Sequence, residues 1–168
     1  MLDSKTLTIS DDSGFLAIVN ADRYKTYIKE DWDLSELFGR FVEEMNNQNM
    51  IIWSTGCENK WTVTVTKTFS KNKALREISR TITVTKGRLY LRNYEDLTMA
   101  AQYEDEKIPA KHNNELYIEA ENGIYKLTIR QFFDQNNLTS QVPHFEIVVQ
   151  KDSLEKLTPI NNILWYKN

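Results

Sequence analysis

The sequence predicts a mainly β fold, an antiparallel β-sandwich of about nine or ten short strands with one amphipathic helix. Three observations carry this. From about residue 60 onward, apolar residues recur at every second position: Trp61, Val63 and Val65 alternate with Thr62, Thr64 and Thr66, and Tyr125, Leu127 and Ile129 with Lys126, Thr128 and Arg130. Period two puts one set on a buried face and the other toward water, as in antiparallel strands. Turn residues separate the runs too closely for helical crossovers, which excludes a parallel βαβ sheet. One segment alone, 33–47, carries a sustained helical stripe.

The elements follow in order. Residues 6–10 read as a strand, 11–14 (Asp-Asp-Ser-Gly) as a turn and 15–19 as a returning strand, which together suggest a hairpin. In 33–47, Leu34, Leu37, Phe38, Phe41, Val42 and Met45 share one face. Asp33 caps the helix, Glu36 completes a capping box, and the run 46–49 ends it. Residues 50–53 are a short apolar run and read as a buried strand. Strands follow at 61–67 and 77–85. Lys86-Gly87 turns the chain, and 88–92 pairs back with Leu89 and Leu91 inward and Arg88, Tyr90 and Arg92 outward. Residues 96–102 suggest one helical turn. Strands 115–120 and 124–133 flank Glu121-Asn122-Gly123, and Asn-Gly is a strong hairpin signal because both central residues of a type I′ turn need positive φ. Residues 135–143 form a polar loop, 144–150 a strand, and Ile163, Leu164, Trp165 and Tyr166 an edge strand. No linker or internal repeat divides the chain, so one domain over 1–168 is expected.

Charge is unevenly placed. Lys60, Lys67, Lys71, Lys73, Arg76, Arg80, Lys86, Arg88 and Arg92 face a single acid, Glu77, in residues 60–92, whereas residues 93–122 hold eight acids and two lysines. Cross-strand pairing would neutralise the two segments; otherwise they form surfaces for a partner.

Catalytic and cofactor motifs are lacking. His112 and His144 are far apart and Cys57 has no close partner, against the paired ligands of a zinc site. No Gly-x-Ser-x-Gly elbow and no glycine-rich phosphate loop is present. No cofactor is expected. Cys57 reads as a small packed residue, and Trp53 and Trp61 as core. Tyr90 between Arg88 and Arg92 would suit a single strand, but the net charge of -3 argues against nucleic acid. The Asn137-Leu138-Thr139 sequon carries no meaning in a cytosolic chain. A single cysteine, no apolar run long enough for a bilayer and no leader-like start together suggest a cytoplasmic protein without a membrane partner.

Arg76-x-Ile78, Ile82-x-Val84-x-x-Gly87-x-Leu89-x-Leu91, Ile108-Pro109 and Glu121-Asn122-Gly123-Ile124-Tyr125-x-Leu127-x-Ile129 together resemble the second half of small bacterial β-sandwich proteins of the competence-J type. The resemblance covers residues 50–150. That family includes an inhibitor of a DNA-entry nuclease, which implies a sandwich fold and a protein partner but transfers no functional residues. The helix at 33–47 and the longer tail depart from it.

These readings lead to a non-catalytic bacterial binding protein of the immunity or inhibitor kind, with acidic loops that bind a basic partner such as a nuclease. The partner-binding candidates are Glu104, Asp105 and Glu106, with Asp31 and Asp33 second. The alternatives are a small hydrolase or ligand-binding sandwich whose site is assembled from distant residues, such as His144 with carboxylates, and an oligomer built on the 163–166 edge.

Overall fold

The computed structural model describes residues 4–108, 114–138, 143–152 and 158–167. His112, Pro109 of the resemblance motif, Thr139 of the sequon and part of the 135–143 loop lie outside them. Nine strands form two sheets. The first has the order β1-β4-β9-β8-β5 and the second β3-β2-β6-β7. The strands are β1 (Ser4–Asp11), β2 (Phe15–Val19), β3 (Met50–Ser54), β4 (Asn59–Thr66), β5 (Arg76–Val84), β6 (Arg88–Asn93), β7 (Tyr117–Glu119), β8 (Gly123–Gln131) and β9 (Phe145–Lys151). Helix α1 (Leu34–Asn46) precedes β3, and α2 (Tyr94–Gln102) follows β6.

Burial follows composition. In β1 and β4 the apolar residues are buried and the alternate polar ones are more exposed. By contrast, β2 and β3 are buried at every position, because α1 packs against β3 and α2 against β2 and β6. The second sheet is therefore a middle layer between the first sheet and the helices, so its strands are apolar throughout. Trp53, Trp61, Phe41 and Phe145 are among the largest fully buried side chains. Leu37, Phe41 and Met45 dock α1, each worth roughly 1.5–3 kcal/mol on full burial. Asp33 caps α1 by accepting from the Glu36 N–H at 2.8 Å. The helix ends as Gln48 enters the left-handed region at φ 60 and the Asn49 N–H reaches back to the Glu44 carbonyl.

The expected hairpins are corrected by the pairing. β1 pairs with β4, and β2 with β3 and β6. β5 pairs with β8, whereas β6 joins β2 and β7 in the other sheet. The Lys86-Gly87 and Asn122-Gly123 turns are thus arches from sheet to sheet. A glycine turn specifies that the chain reverses; which sheet the next strand enters depends on which apolar face it must cover. The arches are tied together. The Gly87 N–H (φ 71) donates to Asn122 Oδ1 at 2.9 Å, and the Ala120 N–H donates to the Gly87 carbonyl at 3.1 Å.

Three further differences matter. β4 and β9 pair in parallel, within otherwise antiparallel sheets. The expected turn at 96–102 is a full helix with Asn93 as its cap, accepting from the Asp96 N–H at 2.9 Å. Residues 163–166 make only one bridge, Leu164 beside Trp53, and Ile163 and Leu164 are buried. The tail thereby lies along the β3 edge.

Candidate functional site: an acidic face with exposed apolar residues

The face grows out of the long connection between β2 and α1. Asn20 anchors its start: its Oδ1 accepts from the Asp22 N–H, its carbonyl from the Arg23 and Tyr24 N–H groups, and its Nδ2 donates to the Thr83 carbonyl at 2.7 Å. Tyr24 is buried, and burial, followed by Glu44, pushes its phenol pKa well above the ordinary range. Arg40 of α1 donates through Nη1 to the carbonyls of Lys25 and Tyr27, at 2.7 and 3.3 Å. The connection is therefore strapped to α1. Its next residue, Ile28, donates its N–H to the Ala101 carbonyl of α2 at 2.8 Å.

That last bond brings two distant sequence segments together. Asp31 lies three residues beyond Ile28, and Glu104 three residues beyond Ala101. Asp31, Asp33, Glu104, Asp105 and Glu106 are all exposed, with Asp33 also serving as the α1 cap. Glu30 and Glu36 add to the same stretch, and Glu36 pairs with Lys29 at 2.9 Å. Tyr103 fixes the acidic turn, its N–H donating to the Met99 carbonyl and its own carbonyl accepting from the Glu106 N–H at 3.2 Å.

Exposed apolar side chains occur in the same segments. Leu34, Met99, Tyr103 and Tyr27 are 50%, 46%, 42% and 39% exposed, four of the six large exposed hydrophobic residues in the described chain. Leu34 is a correction: it shares the helical stripe, but it is the first residue of α1 and stays exposed, whereas Leu37 and Phe41 are buried. Tyr27, Met99 and Tyr103 are not singled out by the sequence, because only their exposure marks them. Exposed large apolar groups accompanied by charged residues are what protein-recognition surfaces present.

Other sequence candidates fall elsewhere. His144 accepts the Thr62 N–H on Nδ1 at 3.0 Å, and its ring packs edge-on against Trp61 and Phe133. Burial lowers its pKa from 6.5. Cys57 is half-buried, and burial, then Asp11 and Glu58, raise its thiol pKa. Arg92 alternates with Leu89 and Leu91 as expected but is fully buried instead of outward-facing, with Asp96 at 3.7 Å. Among the described residues no group of three His, Cys, Asp or Glu could hold a metal ion, and no helix is long and apolar enough to cross a membrane.

No family model matches the chain, and no curated protein matches it. Solved structures do. One, described as crocagin biosynthetic gene J, superposes with a TM-score of 0.62 at 10% identity, covering 89% of this chain and 97% of its own. A second is ComJ from Bacillus subtilis, an inhibitor of the DNA degrading activity of NucA, with a TM-score of 0.50 at 14% identity, covering 89% and 96%. The fold is ComJ-like. At these identities the likeness extends to the arrangement of strands and helices and not to individual side chains.

Proposed function

We propose that this chain is a non-catalytic binding protein of the inhibitor or immunity kind, working in the cytoplasm, that docks a basic enzyme on its acidic face. A nuclease is the first candidate, because ComJ, which shares the fold, is described as an inhibitor of a nuclease's DNA-degrading activity. The observation that supports the reading is that exposed Tyr27, Leu34, Met99 and Tyr103 occur in the same two segments as Asp31, Asp33, Glu104, Asp105 and Glu106, segments joined by the Ile28–Ala101 hydrogen bond. The aromatic and aliphatic groups supply desolvated anchors, whereas the carboxylates steer encounter with a basic cleft made for phosphates.

Immobilised protein should retain a DNA-degrading activity from host lysate, and free protein should suppress that activity. Changing Glu104, Asp105 and Glu106 together to lysine should slow association about tenfold or more at low salt. Retention without suppression, or suppression unaltered in the triple variant, would sink the proposal.

A further inference from the structure

A second concavity, of about 480 Å³, opens between the β1–β2 turn, the β3–β4 turn, the start of β5 and the C-terminal segment. Phe15, Trp165 and Tyr166 supply its aromatic wall; Arg76, Lys167 and Gln135 supply its polar groups. No aspartate or glutamate is among the described residues that line it. The larger concavity near Lys86 and Arg88 is different, because Asp22 and Glu119 already pair with those cations.

Arg76 is the fixed element of this cleft. Its Nε donates to Gln131 Oε1 at 2.9 Å and its Nη2 to the Ser54 carbonyl at 3.3 Å. Its guanidinium lies over the Trp165 ring, 4.1 Å from the centroid. Each of these partners is neutral. Burial lowers its pKa with no opposing carboxylate, and Nη1 has no partner among the described residues. Trp165 holds φ 61, a left-handed conformation uncommon for a non-glycine residue and costly to maintain. Gly56, at φ 86, lets the Gln135 amide lie directly where a Cβ would stand. Arg76 is thus oriented and partly desolvated without a counter-ion, beside an aromatic wall.

We propose that this cleft binds a small aromatic carboxylate. The carboxylate meets the open side of the Arg76 guanidinium, with Lys167 adding a second positive charge, and the ring lies along Phe15, Trp165 and Tyr166. An arginine held at two of its nitrogens offers a directed charge-assisted hydrogen bond. The volume lies within the range of small-molecule pockets. An inorganic anion would gain nothing from the aromatic wall. None of the described residues that line this cleft belongs to the acidic face, and the proposal does not depend on the partner proposed for that face.

The test uses benzoate, its neutral isostere benzamide, and inorganic phosphate, titrated into the whole protein by calorimetry and by amide and indole NMR. Benzoate should bind about tenfold more tightly than benzamide, and Arg76→Gln should reduce that preference to about twofold or less. In the wild type, benzoate should shift the Trp165 indole N–H, a readout that needs no variant to fold. Three results would overturn the proposal: no benzoate binding up to about 20 mM, equal affinity for benzamide, or phosphate binding more tightly than benzoate. Benzoate shifts confined to residues outside the cleft would also overturn it.

Discussion

Asp11 → Asn is the most exposing perturbation of how this fold is held. Asp11, 1% exposed, serves five donors. Its Oδ1 accepts the N–H groups of Ser13, Gly14 and Phe15 at 3.1, 2.8 and 3.2 Å. Its Oδ2 accepts Thr55 Oγ1 at 2.9 Å and Trp61 Nε1 at 3.0 Å. An asparagine can keep its oxygen on the three backbone donors, but its amide then faces Thr55 and Trp61. Thr55 can adapt, because its hydroxyl also lies 2.9 Å from the Cys57 carbonyl and can donate there. The Trp61 indole cannot, because it only donates. One fully buried N–H is therefore orphaned, at a cost of about 1–3 kcal/mol, and the charge assistance is lost as well. The expected loss for Asp11→Asn is about 2–3 kcal/mol, and for Asp11→Ala about 4 kcal/mol. Urea unfolding at neutral pH measures both. In a Trp61→Phe background the Asp11→Asn cost should shrink by about 1–2 kcal/mol, the coupling that a double-mutant cycle isolates. A single-variant loss below about 0.5 kcal/mol, or a cycle with no coupling, would refute this account of Asp11.

Three other outcomes are expected. Glu146 is buried and accepts Arg130 Nη1 at 2.6 Å, so Glu146→Leu should cost about 3–5 kcal/mol in urea unfolding, most of it recovered in Glu146→Leu/Arg130→Met. Because burial lowers the His144 pKa below 6.5, the unfolded chain binds the proton first; stability should fall as pH drops through 6.5 and level off once the folded pKa is passed, and His144→Asn should flatten this slope between pH 7 and 5.5. Because burial, then Asp11 and Glu58, raise its thiol pKa, Cys57 should react with iodoacetamide at pH 8 more slowly than a free thiol, a difference read by mass spectrometry.

The parts of the fold that depend on one residue's neighbours along the chain were legible. Alternation marked β4, β8 and β9, the continuous apolar run at 50–53 marked a strand covered on both faces, and Asp33 with Glu36 marked the start of α1. Pairing was not legible. Gly87 and Asn122-Gly123 signalled reversal correctly, yet each reversal crosses from one sheet to the other. The same limit applies to the acidic face. Asp31, Asp33, Glu104, Asp105 and Glu106 could be picked out from charge alone, but the link between their two segments is a backbone hydrogen bond, Ile28 to Ala101. No periodicity encodes that contact. Met99 and Tyr103 are ordinary residues until the helix that carries them turns one side toward water.

The segregation of charge along the chain has a physical resolution in the strand registers. Arg88 stands opposite Glu119 across β6 and β7, and Arg92 lies beside Asp96 one turn into α2. Glu77, Arg130 and Glu146 face one another across β5, β8 and β9, where Arg130 also holds the Asn72 carbonyl at 2.7 Å. Of the nine basic residues in 60–92, Lys86, Arg88 and Arg92 pair with Asp22, Glu119 and Asp96, so cross-strand and local pairing neutralises part of the segment. Arg76 bonds only neutral groups, and Glu104, Asp105 and Glu106 follow the end of α2 as exposed residues. What distinguishes the cationic cleft and the acidic face is therefore not unpaired charge alone but the exposed or cleft-lining aromatic and aliphatic groups that accompany it, and these two surfaces carry the functional proposals for this chain.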